Sequence, residues 1–234
     1  IEDPATLDPR FGRSRARQAL SGQTPVEAGA VPVSRALLPG RPLPFGAGFE
    51  TGRDLPPNAL AALLVSASGG HTPPRGERLS GLMTRLASGQ DFIATLSVAR
   101  VEAAGEQVRI AREPGEIRRR AIAPVELTPG VAAVWDGRIE IAVAAPGWRI
   151  TAAEGLLNRL SDADRAALGL LPPWARGAAA VLIRDDGTAP VLAGRIGQVR
   201  FLPPRRLTLA FSGFGLAFPG ETTQEDGLFD GVHG

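Results

Sequence analysis

Proline and glycine punctuate this chain so often that no long helix or strand fits between them; they supply 21 and 29 of 234 residues. Each break fixes where a short element starts or stops. Asn58 is placed to cap a helix over 59–65 that ends at Gly69-Gly70. Pro73-Pro74 precede a second helix, with Leu79, Leu82, Met83 and Leu86 at helical spacing and Gly89 as its stop. Phe92, Ala94, Leu96 and Val98 then alternate, and Val108 and Ile110 answer across Gly105, which predicts a hairpin. Asp136-Gly137 sits between 131–135 and 138–143 and supplies the positive φ angles of a tight type I′ turn. Thr151 and Ser161 are candidate caps of two short helices. Residues 179–184 and 191–195 flank Asp185-Asp186-Gly187 as strand, turn and strand, and Leu207, Leu209 and Phe211 alternate as a last strand. Residues 21–58 show no sustained period and predict a connector with little regular structure.

The expected fold class is therefore α+β: a small helical and hairpin domain followed by a mostly β C-terminal domain with short helices. The expected division is 1–20, a connector at 21–54, the helix–hairpin domain at 55–114, the β domain at 115–218 and an acidic tail at 219–234. The first residues, Ile1-Glu2-Asp3-Pro4, lack an initiating methionine and a signal peptide's basic and apolar regions, so they read as a cut through a longer chain. No apolar run approaches the roughly 20 residues of a membrane span, and no membrane partner is expected.

The chain has no cysteine, which excludes thiolate metal sites, disulfides and a cysteine nucleophile. His71 and His233 are its two histidines, too few for a zinc site or a Ser-His-Asp arrangement, so no metal and no catalytic residue is expected. All 26 basic residues are arginine. Arginine makes bidentate phosphate contacts better than lysine, but a coding bias toward arginine gives the same count. Without lysine, tyrosine or cysteine, a net charge of +2 persists to high pH, so the pI near 10.6 says little by itself. Distribution says more. Residues 71–120 hold nine arginines against six acids, and the last fourteen residues hold four acids and no arginine.

Several arginines share a helical face or a run. Arg10, Arg13 and Arg17 fall on one face near the start, and Arg75, Arg78 and Arg85 fall near one face of the second helix. Arg118, Arg119 and Arg120 form a run in an expected linker, and Arg205 and Arg206 follow Pro203-Pro204. Each group suits phosphate contact; each is equally a solvated surface. Ser68-Gly69-Gly70-His71-Thr72 has the look of a phosphate loop, but it lacks the Asp-Ser pair of an ATP-pyrophosphatase loop and follows a helix rather than a strand. A glycine helix stop explains it better.

Two segments carry a resemblance to a family. Asp3, Pro4, Asp8, Phe11, Arg13 and Arg17 fit the pattern Asp-Pro-Ser-Asn-x-Asp-x-x-Tyr-x-Arg-Asn-x-x-Arg, with Ala5-Thr6 and Ser14 departing from it. Pro172-Pro173-Trp174-Ala175-Arg176 follows a helix and precedes strand, turn and strand. In this order the two resemble the bacterial tRNA(Ile)-lysidine synthetases, at the end of the catalytic domain and within the last domain. The resemblance implies a tRNA-binding, C-terminal part of an ATP-dependent ligase that joins lysine to the wobble cytidine of tRNA(Ile). It implies a catalytic domain upstream that carries the ATP and Mg chemistry, with no cofactor in this part, and a cytoplasmic location. It also implies the domain type shared with the phenylalanyl-tRNA synthetase β subunit. Arg13 and Arg17 would then touch adenylate or tRNA phosphate, and Arg75, Arg78, Arg85, Arg118, Arg119, Arg120, Arg205 and Arg206 would touch tRNA. Pro172, Pro173, Trp174 and Arg176 are structural markers, with Trp174 read as packing. A module that has lost RNA binding and serves structure or protein contact is the alternative, favoured by the modest charge and by Asp162 and Asp164 in the late helix.

Overall fold

The computed structural model describes residues 39–213 except Arg75, with the side chains of 211–213 left aside. The described residues open with a hairpin in the stretch expected to lack regular structure. β1 (Arg41–Pro42) and β2 (Gly48–Thr51) pair antiparallel around a 3-10 turn at Pro44–Gly46. Strands this short, flanked by Pro and Gly, show no period; pairing with a distant strand is what fixes them. β2 lies against β5 (Gln107–Arg112), with Phe49 opposite Ile110.

β3 (Phe92–Leu96), β4 (Ala99–Ala104) and β5 complete a five-stranded antiparallel sheet in the order β1-β2-β5-β4-β3. The expected hairpin across Gly105 is present as β4–β5. Its first arm, however, breaks at Ser97 and Val98, whose φ angles of 49° and 58° make a second turn. Alternation alone could not show this break.

One face of the sheet carries Phe49, Val101, Val108 and Ile110, all buried. α1 (Pro57–Ser68) covers it. Its sequence is apolar on every side, as suits a helix enclosed all round. The far sides of α1 meet α2 (Glu77–Ala87) and α5 (Pro203–Gly213). Pro57 opens α1 at a position where a missing N–H costs nothing, and Gly69, with φ 72°, ends it. Asn58 lies inside the helix rather than at its cap. α2 begins after Gly76 rather than at Pro73-Pro74.

α5 corrects the expected last strand. Leu207 is fully buried within the core shared with α1, whereas Leu209 is 59% exposed. Residues two apart on a strand would face the same way; here they face apart, as helical geometry requires. The expected linker holding Arg118–Arg120 is also ordered. α3 (Pro114–Arg119) has Pro114 at its start and Ile117 buried.

The remainder is two small antiparallel sheets. β6 (Val125–Glu126), β9 (Arg149–Ala152), β10 (Ala180–Ile183) and β11 (Val191–Leu192) form one, in the order β11-β10-β9-β6. β7 (Ala133–Trp135), β8 (Ile139–Ala142) and β12 (Gln198–Phe201) form the other, in the order β12-β8-β7. Trp135, Ile139, Ile141, Ile150 and Leu182 fill a common core. Asp136 (φ 49°) and Gly137 (φ 62°) make the expected β7–β8 turn. Thr151 lies in β9 instead of capping a helix. Ser161 does cap α4 (Asp162–Leu168), accepting from the Asp164 N–H at 3.1 Å. The fold class is α+β, as expected.

Candidate nucleic-acid interface

Surface arginines become a site only where the fold gathers them, and it gathers some of these and not others. α2 is amphipathic: Leu82 and Leu86 are buried, and Arg78 and Arg85 lie exposed along the edge of that buried stripe. Arg78 and Arg85, with Leu82, Ala94–Val98 and Glu116, line a groove of about 500 Å³. Arg85 is held by the Phe92 ring, 4.3 Å from its guanidinium carbon, a cation–π geometry. Arg78 has no ion-pair partner among the described residues.

α3 brings in the arginine run. Glu116, on the groove wall, accepts from Arg119 Nε at 2.9 Å and lies 3.5 Å from Arg120 Nε. Arg118 instead pairs with Glu154 at 3.1 Å. Arg78 and Arg85 thus share the groove lining with Glu116, and Glu116 in turn pairs with Arg119 and Arg120 of the α3 end. All four arginines are exposed, so their pairing is weak and their charge is available to a solvated anion.

Arg206 belongs elsewhere. It is half-buried, and it donates to the carbonyls of Gly137 (3.2 Å) and Gly70. Burial lowers its pKa from the usual guanidinium value. Its donors serve the interior. Arg205 is exposed at the start of α5 and is not part of the α2–α3 groove. Arg13, Arg17, Arg75 and His233 lie outside the described residues, as does the acidic tail.

Sequence reasoning missed the most buried charges. Arg112 holds Asp136 through two bonds of 2.9 Å, and Arg138 Nε donates to the same carboxylate at 2.8 Å. Their side chains are 0–4% exposed. The remaining donors reach backbone carbonyls: Arg112 to Val98 (3.2 Å), Arg138 to Gly46 (3.2 Å) and Ala178 (2.8 Å). Burial lowers the Arg138 pKa from the usual guanidinium value, and Asp136 opposes that shift. No spacing in the sequence distinguishes these arginines from surface ones.

Gly69-Gly70 meets the same place. A Cβ on Gly69 would lie 2.0 Å from the Asp136 carbonyl, and one on Gly137 would lie 2.3 Å from the Gly69 carbonyl. The segment that looks like a phosphate loop is thus a helix C-terminus packed against a turn. Its exposed dipole end is negative, and it does not fit a nucleotide phosphate. Among the described residues no group of three or more His, Asp or Glu is placed to hold a metal ion. No helix among them is long and apolar enough to cross a membrane.

Pro172, Pro173 and Trp174 form a loop over the second face of the five-stranded sheet. Trp174 Nε1 donates to Glu102, and Arg100 lies 4.7 Å from the indole ring centre. Arg176 Nε donates to the Leu171 carbonyl at 3.2 Å. Trp174 is half-buried, packed against the sheet on one side and lining a pocket on the other. In α4, Asp164 is buried and accepts from the Leu192 N–H (3.3 Å) and Arg195 Nε (2.8 Å), so that acid is structural.

Comparison with known proteins gives one informative match. The chain is 41% identical over 192 residues to the C-terminal part of the tRNA(Ile)-lysidine synthase of Caulobacter vibrioides. The match covers 81% of this chain and 45% of that protein. The chain thus spans less than half the length of this curated relative. No family model and no solved structure matches.

Proposed function

We propose that this chain, so similar to the C-terminal part of a tRNA(Ile)-lysidine synthase, is the tRNA-gripping part of such an enzyme. The α2–α3 groove takes the sugar–phosphate strand of tRNA(Ile). The observation that carries this reading is that Arg78 and Arg85 line one groove whose acidic wall residue, Glu116, is itself paired with Arg119 and Arg120. Neutralising phosphates with arginine releases condensed counterions, which favours binding without reading sequence. Duplex RNA offers few readable base edges, so grip of this kind is set by shape and backbone.

Bond-making belongs to another part of the full-length enzyme. There, ATP and magnesium would activate the wobble cytidine for attack by lysine, and that part of the protein would be this unit's partner in the cytoplasm. The Gly69-Gly70 segment does not fit a nucleotide phosphate, and among the described residues no group of three or more His, Asp or Glu is placed to hold a metal ion. The described residues contribute by holding the RNA; correct placement of a reacting base removes several kcal/mol from a barrier.

The test is binding of transcribed tRNA(Ile) as salt is raised. Affinity is expected to fall steeply with salt in the native protein. The combined Arg78→Gln, Arg85→Gln and Arg119→Gln variant is expected to lower the slope of log affinity against log salt by about 2, at roughly 0.7–0.9 per lost contact. A salt-insensitive interaction, or a slope untouched by these substitutions, overturns the assignment. Absence of binding by a well-folded protein leaves a structural module.

A further inference from the structure

A second cavity lies on the other face of the five-stranded sheet. Register places Arg41 beside Glu50, Glu50 beside Arg109 and Arg109 beside Glu102, a row of alternating charge across four strands. The Pro-Pro-Trp segment walls one side of this row, and between them lies a half-open pocket of about 580 Å³. We propose that this cavity binds a single unstacked nucleotide, with its phosphate on Arg41, Arg109 and Arg176 and its base against the apolar loop.

Charge comes first. Glu50 is shared: Arg109 Nε lies 3.2 Å from one of its oxygens, and Arg41 holds the other. Arg41 above all, with Arg109, keeps the Glu50 carboxyl below the usual 4.5 despite its burial. Two cations on one anion leave a surplus. Arg176 adds another cation, because only its Nε is engaged, by the Leu171 carbonyl. Glu102 accepts from the Trp174 indole N–H but keeps its charge, so three guanidiniums (Arg41, Arg109, Arg176) face two carboxylates (Glu50, Glu102) and leave one positive charge over. Guanidinium forks with free amino groups match phosphate oxygens in pairs.

Shape comes second. Pro172, Pro173 and Trp174 present rigid, flat apolar surface on the cavity wall, and Leu170 is 70% exposed at this loop. The volume falls in the range of about 300–1,000 Å³ usual for small-ligand sites. A peptide added as a further strand fits less well. The neighbouring sheet edge is the two-residue β1, and Pro42 has no N–H to give.

A free nucleoside monophosphate and an unpaired nucleotide of an RNA strand offer the same chemistry. Only the second form rests on the RNA-binding function proposed above. Calorimetric titration of the whole protein separates them, using 5′-AMP, inorganic phosphate and an unstructured 5′-phosphorylated RNA tetranucleotide. AMP or the tetranucleotide is expected to bind, and Arg41→Gln and Arg176→Gln are each expected to weaken that ligand at least tenfold while the thermal melt is retained. Arg159→Gln, at an exposed arginine that lines neither groove, is expected to leave it unchanged. Binding of the tetranucleotide without AMP assigns the site to an RNA strand; AMP binding assigns it to the free nucleotide as well. Inorganic phosphate binding as tightly as AMP, binding indifferent to both arginine substitutions, or no binding of any probe overturns the proposal. The titration is read without tRNA(Ile), so failure of tRNA binding leaves its outcome intact.

Discussion

Asp136 shows how little a residue type says before its neighbours are known. In the sequence it is half of an Asp-Gly turn. That reading holds, because positive φ at two successive positions favours Asp and Gly strongly. In the fold its carboxylate also neutralises two buried guanidiniums from β5 and β8. A buried ion pair adds little net stability when intact, but losing one partner is costly. Asp136→Asn is expected to destabilise the protein by about 3–5 kcal/mol, since two arginines are then left without their counter-charge. Urea unfolding reads this as a lower midpoint with unchanged slope. A change under about 1 kcal/mol would mean that backbone carbonyls satisfy the pair unaided. Nothing in the order of residues marks Arg112, Arg138 and Arg206 as interior. An arginine is surface or core according to partners dozens of positions away.

Elements were legible where a local rule decides them and obscure where packing decides. α1 ends at Gly69 because an αL residue is needed there, and α4 begins at Ser161 because a hydroxyl satisfies an orphan N–H. Both signals are local. α5 is the opposite case. Leu207, Leu209 and Phe211 fit period 2, yet Leu207 and Phe211 also fit a helical i, i+4 step. The groove offered by α1 settles it. The two readings separate cleanly by substitution: Leu207→Ala is expected to cost about 2–5 kcal/mol, and Leu209→Ala to stay within about 0.5 kcal/mol. Equal losses in thermal or urea unfolding would restore the strand. The same division runs through the candidate interface. Arg78 and Arg85 share a helix face seven residues apart, which the sequence shows. Their link through Glu116 to Arg119 and Arg120 depends on where α3 lies, which it does not show.

At the scale of the whole described unit, contacts between sheets concentrate in one small region. The end of α1, the β7–β8 turn, Arg112, Arg138 and Arg206 all converge there. Arg138 alone reaches Gly46 beside β2 and Ala178 before β10. Burial of so many donors ties the five-stranded sheet to the two smaller ones, and a unit tied in this way unfolds together. One transition is expected, coincident by far-ultraviolet circular dichroism and by fluorescence of Trp135, Trp148 and Trp174. Two separated transitions would show that the sheets melt independently.

That knot of arginines and glycines has a consequence for measurement. Because nothing at the convergence point can slide without stranding a charge, the arginine groove and the half-open pocket stand at a set separation. With both proposed sites occupied by one RNA, the unit would act as a caliper, admitting only a molecule whose girth matches the gap between its jaws.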